Sequence, residues 1–376
     1  MKKTLTIWLI LFLPFGFTNC QQNKLTTKAA QEIPTGSMKQ AGMDSILLRM
    51  IDTAVINGTY PNIHSLLIAR NNKLIYEKYW PGKDEKWATD IGIAVHEKDS
   101  LHDIRSISKS VVSACIGIAL QQGKIKNVNQ KVFDFFPEYS KYDSGLKSLL
   151  TIQHLLSMTS GLIWNEEVPY TNPQNSEVRM IYSGNPIEYV LSQPMDVEPG
   201  KRWKYNGGTT QLLAEIIEKT TGKRIDKFAE EYLFKPLGIN RYEWFLYPET
   251  DIPAAASGLR LRSRDLLKFG LLYFNKGSWN NQQIVPAEWV EMSFRPQIKM
   301  SNVVSYGYQF WLFDDTVMNK PVHVIACVGN GDQRILMDKE NNLVIVATAG
   351  NYNIWNIEND VNELARNYIY PALSDW

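Results

Sequence analysis

The chain has only three cysteines, Cys20, Cys115 and Cys327, and no C-x-x-C pair among them. Cys115 lies in an apolar helical run and Cys327 in a strand-like one. The two could pair in an oxidising compartment, but a buried thiol is the more ordinary fate of each. Histidine is equally scarce: His64, His96, His102, His154 and His323 show no H-x-x-x-H spacing. A catalytic zinc centre is therefore not expected, and no cofactor is called for. G-x-S-x-G is absent, which excludes an α/β-hydrolase elbow, and so is a G-x-x-x-x-G-K phosphate loop. Neither charge sign is in excess. The net charge is +1, or near −1 once the first twenty residues with Lys2 and Lys3 are set aside. With no stripe of Lys or Arg, nucleic acid and an electrostatic membrane contact are poor partners.

One apolar run stands out, Leu5 to Phe17, preceded by Lys2 and Lys3 and followed by Thr18-Asn-Cys20. It is too short for a comfortable span and reads as an export signal covering residues 1–20. Cys20 sits where a lipoprotein signal places its acylated cysteine, although Phe17 and Asn19 match the usual small-residue box poorly. The expected location is extracytoplasmic, either periplasmic or anchored to the membrane through Cys20.

What is present is Arg105-Ser-Ile-Ser-Lys109 at the head of the apolar stretch Val111 to Leu120. At i and i+3, Ser106 and Lys109 share one helix face, the arrangement of a serine nucleophile with a lysine base. An N-cap role would explain the serine but not the lysine. A capping box wants Glu or Gln at that position, and the helix dipole repels an ammonium there. That repulsion, like burial, favours the neutral amine a base requires. A second S-x-x-K, Ser144 to Lys147, has no apolar helix behind it and reads as surface.

The order of elements predicts an α+β fold. Residues 21–40, polar with Pro34 and Gly36, look like a tether, and 41–376 form the domain. Met43 to Ile56 is helical, and His64 to Arg70 with Lys73 to Trp80 form a hairpin through Asn71-Asn72. A charged loop then leads to the helix opening on Ser106. Residues 126–249 are mainly helical. After a helix at 263–275 come strands near Ser305–Phe313, Val322–Val328, Gln333–Asp338 and Leu343–Ala347, with a last helix at Asn356–Tyr368. Residues 41–125 and 250–376 thus share one antiparallel sheet flanked by helices, with the helical part inserted.

Two further segments carry site-like chemistry. In Pro199-Gly-Lys-Arg-Trp-Lys-Tyr205-Asn-Gly-Gly208 a tyrosine stands in a tight loop before an amphipathic helix, where its phenol can reach the nucleophile, though a lone loop tyrosine more often simply packs. Val322 to Val328 runs into Gly329-Asn-Gly-Asp-Gln333, a glycine-bracketed turn that can aim a backbone N–H at an oxyanion or be an ordinary bend.

Together with Leu155-Leu-Ser-Met-Thr-Ser-Gly-Leu162, Gly258-Leu-Arg-Leu-Arg-Ser-Arg-Asp265 and Tyr306-Gly-Tyr-Gln-Phe-Trp311, these motifs resemble serine hydrolases of the β-lactamase and penicillin-binding-protein fold. The likeness spans about residues 43–376 and is strongest to the class C-like esterases and the 6-aminohexanoate-dimer hydrolase branch. It implies Ser106 as nucleophile, Lys109 as base, Tyr205 as proton relay, and an oxyanion hole from the backbone N–H groups of Ser106 and Asn330. It also suggests that Tyr170 contacts the scissile bond. Trp164, Trp203, Tyr306 and Trp311 are candidate aromatic walls for an apolar acyl or alcohol group. Two departures stand out. Tyr205-Asn206-Gly207 replaces Y-x-N, and Cys327-Val328-Gly329 replaces K-T-G or H-x-G, removing the cation and hydroxyl that hold a β-lactam carboxylate. The expected activity is cleavage of a small ester or amide through an acyl-serine. A D-Ala-D-Ala carboxypeptidase is the alternative, favoured by compartment and disfavoured by the missing cation.

Overall fold

β-Branched and aliphatic runs from both ends of the chain pair into one antiparallel sheet, and the segment carrying Ser106 and Lys109 is laid against it. The computed structural model describes residues 32–374. The expected export signal, Cys20 and residues 21–31 lie outside that range. Helix α1 (Ser45–Ile56) precedes the hairpin β1 (Ile63–Arg70) and β2 (Lys73–Tyr79). Asn71 and Asn72, at φ 51° and 61°, supply the left-handed turn that matches strand twist. A second hairpin, β3 (Gly82–Lys86) and β4 (Thr89–Ala94), stands outside the main sheet.

Strand β5 (Leu101–Asp103) then leads into α2 (Ile107–Gln121). Between residues 126 and 249 the regular structure is helical apart from Glu243–Trp244, and its longest element is α3 (Gly207–Thr221). Strand β6 (Leu259–Arg262) pairs with β5 and runs straight into α4 (Ser263–Phe274). The C-terminal part supplies β7 (Ile298–Lys299), β8 (Val304–Tyr306), β9 (Trp311–Val317), β10 (Lys320–Gly329), β11 (Gln333–Asp338) and β12 (Leu343–Ala349). The eight-stranded order is β7-β8-β9-β10-β11-β12-β1-β2.

Strand β1 is buried along its whole length because its alternating side chains serve two cores. Leu66 and Ile68 pack with Leu48 and Ile51 of α1 and with Val361, Leu364 and Ile369 near the C-terminus, while Leu67 and Ala69 join the core containing α4 and α2. Helix α2 is buried on every side from Ile107 to Ala119 and runs through the middle of the second core, as a helix without an exposed polar face must. The hydroxyls of Ser110 and Ser113 are satisfied there by the carbonyls of Gln309 and Tyr308.

Two expectations are corrected. Residues 33–40 are part of the domain rather than tether: Ile33 is buried, and Leu74 exchanges backbone hydrogen bonds with Pro34 and Gly36. The charged stretch after Trp80 is the β3-β4 hairpin, whose mixed polar residues hide its strand character.

Candidate active site

The turn before α2 places the first two functional side chains. Arg105 has φ 49°, unusual for a residue with a β-carbon, and the chain swings there from β5 into the helix. Ser106 makes no side-chain cap bond. Its Oγ instead accepts a hydrogen bond from Lys109 Nζ at 3.1 Å, and the same nitrogen donates to the carbonyl of Ala256 at 3.0 Å. Lys109 is 1% exposed. A fixed, dry amine beside a hydroxyl is what a general base requires.

The loop before α3 brings the third. Tyr205 lines the cleft together with Ser106, and its ring lies 4.9 Å from Lys109 Nζ. Burial, then the charge of Glu166, push its phenol well above the usual value, so it is held as a neutral donor. Asn206 caps α3, its Oδ1 accepting from Thr209 N at 3.1 Å. Gly207 leaves room for two buried carboxylates: a Cβ there would sit 2.5 Å from Glu177 Oε2 and 2.9 Å from Glu166 Oε1. Glu166 accepts from Trp164 Nε1, Gly207 N and the Tyr170 hydroxyl. Glu177, on a short helix capped by Asn175, accepts from Ser257, while its other oxygen has no hydrogen-bond partner and lies 4.0 Å from Lys109 Nζ.

Strand β10 ends against this assembly. At Gly329 a Cβ would approach Ile104 O to 2.5 Å, so only glycine lets the turn close on the segment that carries Ser106. Asn330 follows, its side chain accepting from Asn353 N at 2.9 Å. Ser106, Glu166, Tyr170, Trp203, Tyr205, Trp311 and Asn330 line one cleft of about 890 Å³. Trp355 and Ile354 form an apolar mouth, exposed by 54% and 56%. The lining holds five carboxylates, Glu166, Glu167, Asp332, Glu358 and Asp360, against two cations. Both cations are paired: Lys204 with Glu167, and Arg334 with Asp332 at 2.9 Å and Asp360 at 3.7 Å.

Residues 58–356 match the model of the Beta-lactamase family. The chain belongs to the β-lactamase family. Its fold is the β-lactamase/transpeptidase-like α+β fold, and the motif-based resemblance holds. Among solved structures it is similar to a provisional 6-aminohexanoate-dimer hydrolase from Bacillus anthracis, with 20% identity, 91% of this chain and 87% of that chain covered, and a TM-score of 0.68. A family VIII carboxylesterase matches with 15% identity, 90% and 99% coverage and a TM-score of 0.65. Among curated relatives, a provisional D-alanyl-D-alanine carboxypeptidase of Escherichia coli K12 is 22% identical over 249 residues, or 64% of this chain. The match spans 55% of that relative's own length.

Within this β-lactamase-family site, Ser106, Lys109, Tyr205 and Asn330 converge, and Tyr170 reaches the cleft through its bond to Glu166. Trp203, Tyr205 and Trp311 cluster with ring centroids 5.5 to 6.1 Å apart. Two aromatic expectations are corrected. Trp164 is 3% exposed and packs behind the site, its indole holding Glu166, and Tyr306 is buried beneath Trp311. Sequence reasoning missed Glu166 and Glu177 altogether; their one trace was the glycine at position 207. It also left the histidines unrelated, whereas His64, His96 and His102 gather around Asp84.

The acid pair Glu166 and Glu177 has a measurable signature. Burial first, then the neighbouring Glu177 carboxylate, push Glu166 up to about 7 from 4.5. The folded state therefore favours the protonated acid. The resulting stability is fully present below the unfolded value near 4.5 and is lost as pH rises through about 7. Between pH 5 and pH 8 the wild type is expected to lose about 2 to 3 kcal/mol more than Glu166→Gln, which keeps the acceptor for Trp164 and Gly207. Urea midpoints of both proteins at the two pH values test this, and equal slopes would remove Glu166 from the titrating groups.

Proposed function

We propose that the protein cleaves a carboxylic ester or simple amide through an acyl-serine intermediate. The observation that carries this is the 3.1 Å contact between buried Lys109 Nζ and Ser106 Oγ at the floor of the cleft. Ser106 Oγ attacks the carbonyl carbon as its proton passes to Lys109 Nζ. The new ammonium then faces the unpartnered Glu177 oxygen at 4.0 Å, an attraction of about 4 kcal/mol at an effective dielectric of about 20. The oxyanion is met by the backbone N–H groups of Ser106, at the head of α2, and of Asn330; each such donor is worth about 100- to 1000-fold in turnover. Tyr205, held as a phenol, passes the proton from Lys109 to the leaving oxygen or nitrogen. Water then attacks the acyl carbon while giving up a proton to the same groups, which deliver it to Ser106 Oγ as the acyl–oxygen bond breaks and the carboxylic acid leaves.

The cleft chemistry selects against anionic substrates. Cys327 and Val328 occupy the sequence positions where a cation and a hydroxyl would hold a carboxylate, and Arg334, on the facing strand, is already neutralised by Asp332 and Asp360. Two missing charge-assisted hydrogen bonds predict that penicillins and cephalosporins turn over on the order of 100-fold or more below a p-nitrophenyl ester in kcat/KM. Comparable values would sink this reading of the third motif. The curated relatives favour a second reading, a D-Ala-D-Ala carboxypeptidase, which must hold a terminal carboxylate in the same place. Release of D-alanine from a peptide ending in D-Ala-D-Ala, faster than hydrolysis of the ester, would establish it instead.

The covalent step has a direct test. A fluorophosphonate probe is expected to add one mass increment, located on Ser106 by peptide mapping, and labelling of another serine would overturn the assignment. Residues 1–20 support an extracytoplasmic site of action, and Cys20 supports a lipid anchor.

A further inference from the structure

His64, Asp84, His96 and His102 come from β1, β3, the loop after β4, and β5, and all four are buried. One ligand atom from each lies within 4.8 Å of all the others. His64 Nδ1 is 2.8 Å from His102 Nε2 and 4.0 Å from Asp84 Oδ1, His102 Nε2 is 3.5 Å from Asp84 Oδ1, and His96 Nε2 is 3.9 Å from Asp84 Oδ2. A tetrahedral ion with bonds of about 2.0 to 2.1 Å spaces its ligands by about 3.4 Å, inside this range.

The surroundings settle which nitrogens face inward as lone pairs. His102 Nδ1 donates to the Asp103 carbonyl at 3.0 Å, which leaves Nε2 bare. Asn62 donates its amide to the Lys83 carbonyl, so its oxygen is turned to accept from His64 Nε2 at 3.2 Å, which leaves Nδ1 bare. Two acceptor nitrogens thus meet at 2.8 Å with no hydrogen between them, a repulsive contact that a cation converts into two bonds. His96 Nε2 is buried with no hydrogen-bond partner, although its residue is only 7% exposed. Asp84 is oriented in turn by the Tyr352 hydroxyl at 2.9 Å and by Glu85 N at 2.8 Å. Ligands held by a second layer of hydrogen bonds in this way are the pattern of a built metal centre.

We propose that these four residues bind a divalent transition metal of the zinc type. Three imidazoles and one carboxylate suit zinc and its first-row neighbours rather than calcium or magnesium, which take oxygen. Four protein ligands close the coordination sphere, so the ion is structural. It fastens the β3-β4 hairpin to β1 and to β5, whose His102 lies four residues before Ser106. Tyr352 extends the connection: its ring lies under the Arg105 guanidinium at 4.6 Å and against Gly331 of the turn after β10. His96 is stacked on His64 at 4.0 Å with planes 12° apart, and its ring tilts out of that stack on coordination.

Purified wild-type protein is stripped with chelator, reloaded with zinc sulfate, dialysed and assayed for zinc by plasma mass spectrometry. About one zinc per chain is expected, with at least about a tenfold reduction in His96→Ala and His102→Ala. Reloading with cobalt(II) should give the visible absorption of a tetrahedral site in the wild type alone. Less than about a tenth of an equivalent in wild-type protein that near-ultraviolet circular dichroism finds folded overturns the proposal. So does undiminished zinc in both folded variants. The wild-type measurement decides the matter even where a variant fails to fold.

Discussion

Replacing Ser106 with alanine is expected to lower the hydrolysis of p-nitrophenyl butyrate by about 10⁴-fold or more, to the rate in buffer. The substitution removes only the attacking oxygen. Lys109 keeps its bond to the Ala256 carbonyl and its approach to Glu177, and Ser106 makes no cap bond that the helix would miss. The melting temperature should therefore stay close to wild type, separating loss of chemistry from loss of fold. Lys109→Ala should be comparably inactive, and the double variant hardly worse than either single one, because a nucleophile without its base contributes little alone. Lys109→Ala should also be less stable by about 1 to 3 kcal/mol, since it leaves the buried Ala256 carbonyl without the Lys109 donor and Glu177 Oε2 without a nearby polar group. Ester hydrolysis measured beside thermal melts for the four proteins tests all of this. Full activity in Ser106→Ala would mean that another serine is the nucleophile.

The difference between those residues and the carboxylates behind them marks how much of the molecule is legible from its sequence. Ser106 and Lys109 are a local pair: their i and i+3 spacing guarantees one helix face, and the apolar stretch behind them declares a buried helix. The sheet is legible for a similar reason, since β1, β11 and β12 are short β-branched and aliphatic runs bounded by turn residues. Glu166 and Glu177 have no such signature. They come from a loop and a six-residue helix that only tertiary packing carries beneath Gly207, and a lone glutamate in a polar loop reads as solvated. Trp164 was misplaced for the same reason, because composition gives no clue to which side of its loop meets the cleft. The four metal-site residues are the extreme case. They are spread over 39 positions and four separate segments, and they meet only because β5 and the β3-β4 hairpin fold over the end of β1.

The acid pair makes Gly207 the most sensitive position in the site that touches no substrate. Gly207→Ala is expected to lower kcat/KM by about 100-fold, the typical cost of displacing catalytic groups by about 1 Å. The new methyl would lie 2.5 Å from Glu177 Oε2 and 2.9 Å from Glu166 Oε1, so at least one carboxylate must move. Neither can do so freely: Glu166 is held by Trp164, Tyr170 and the amide of residue 207 itself, and Glu177 by Ser257. A shift of Glu177 carries away the charge facing Lys109, and a shift of the 207 amide moves Tyr205 two residues before it. The loss should fall mainly on kcat, because the cleft walls at Trp203, Trp311 and Trp355 are untouched. Shortening Glu177 to alanine in the same chain removes the closer clash but also the charge, so the double variant should regain stability without regaining turnover. Recovery of both would make the carboxylate mere packing, whereas recovery of stability alone is the outcome expected of a charge that works on the lysine.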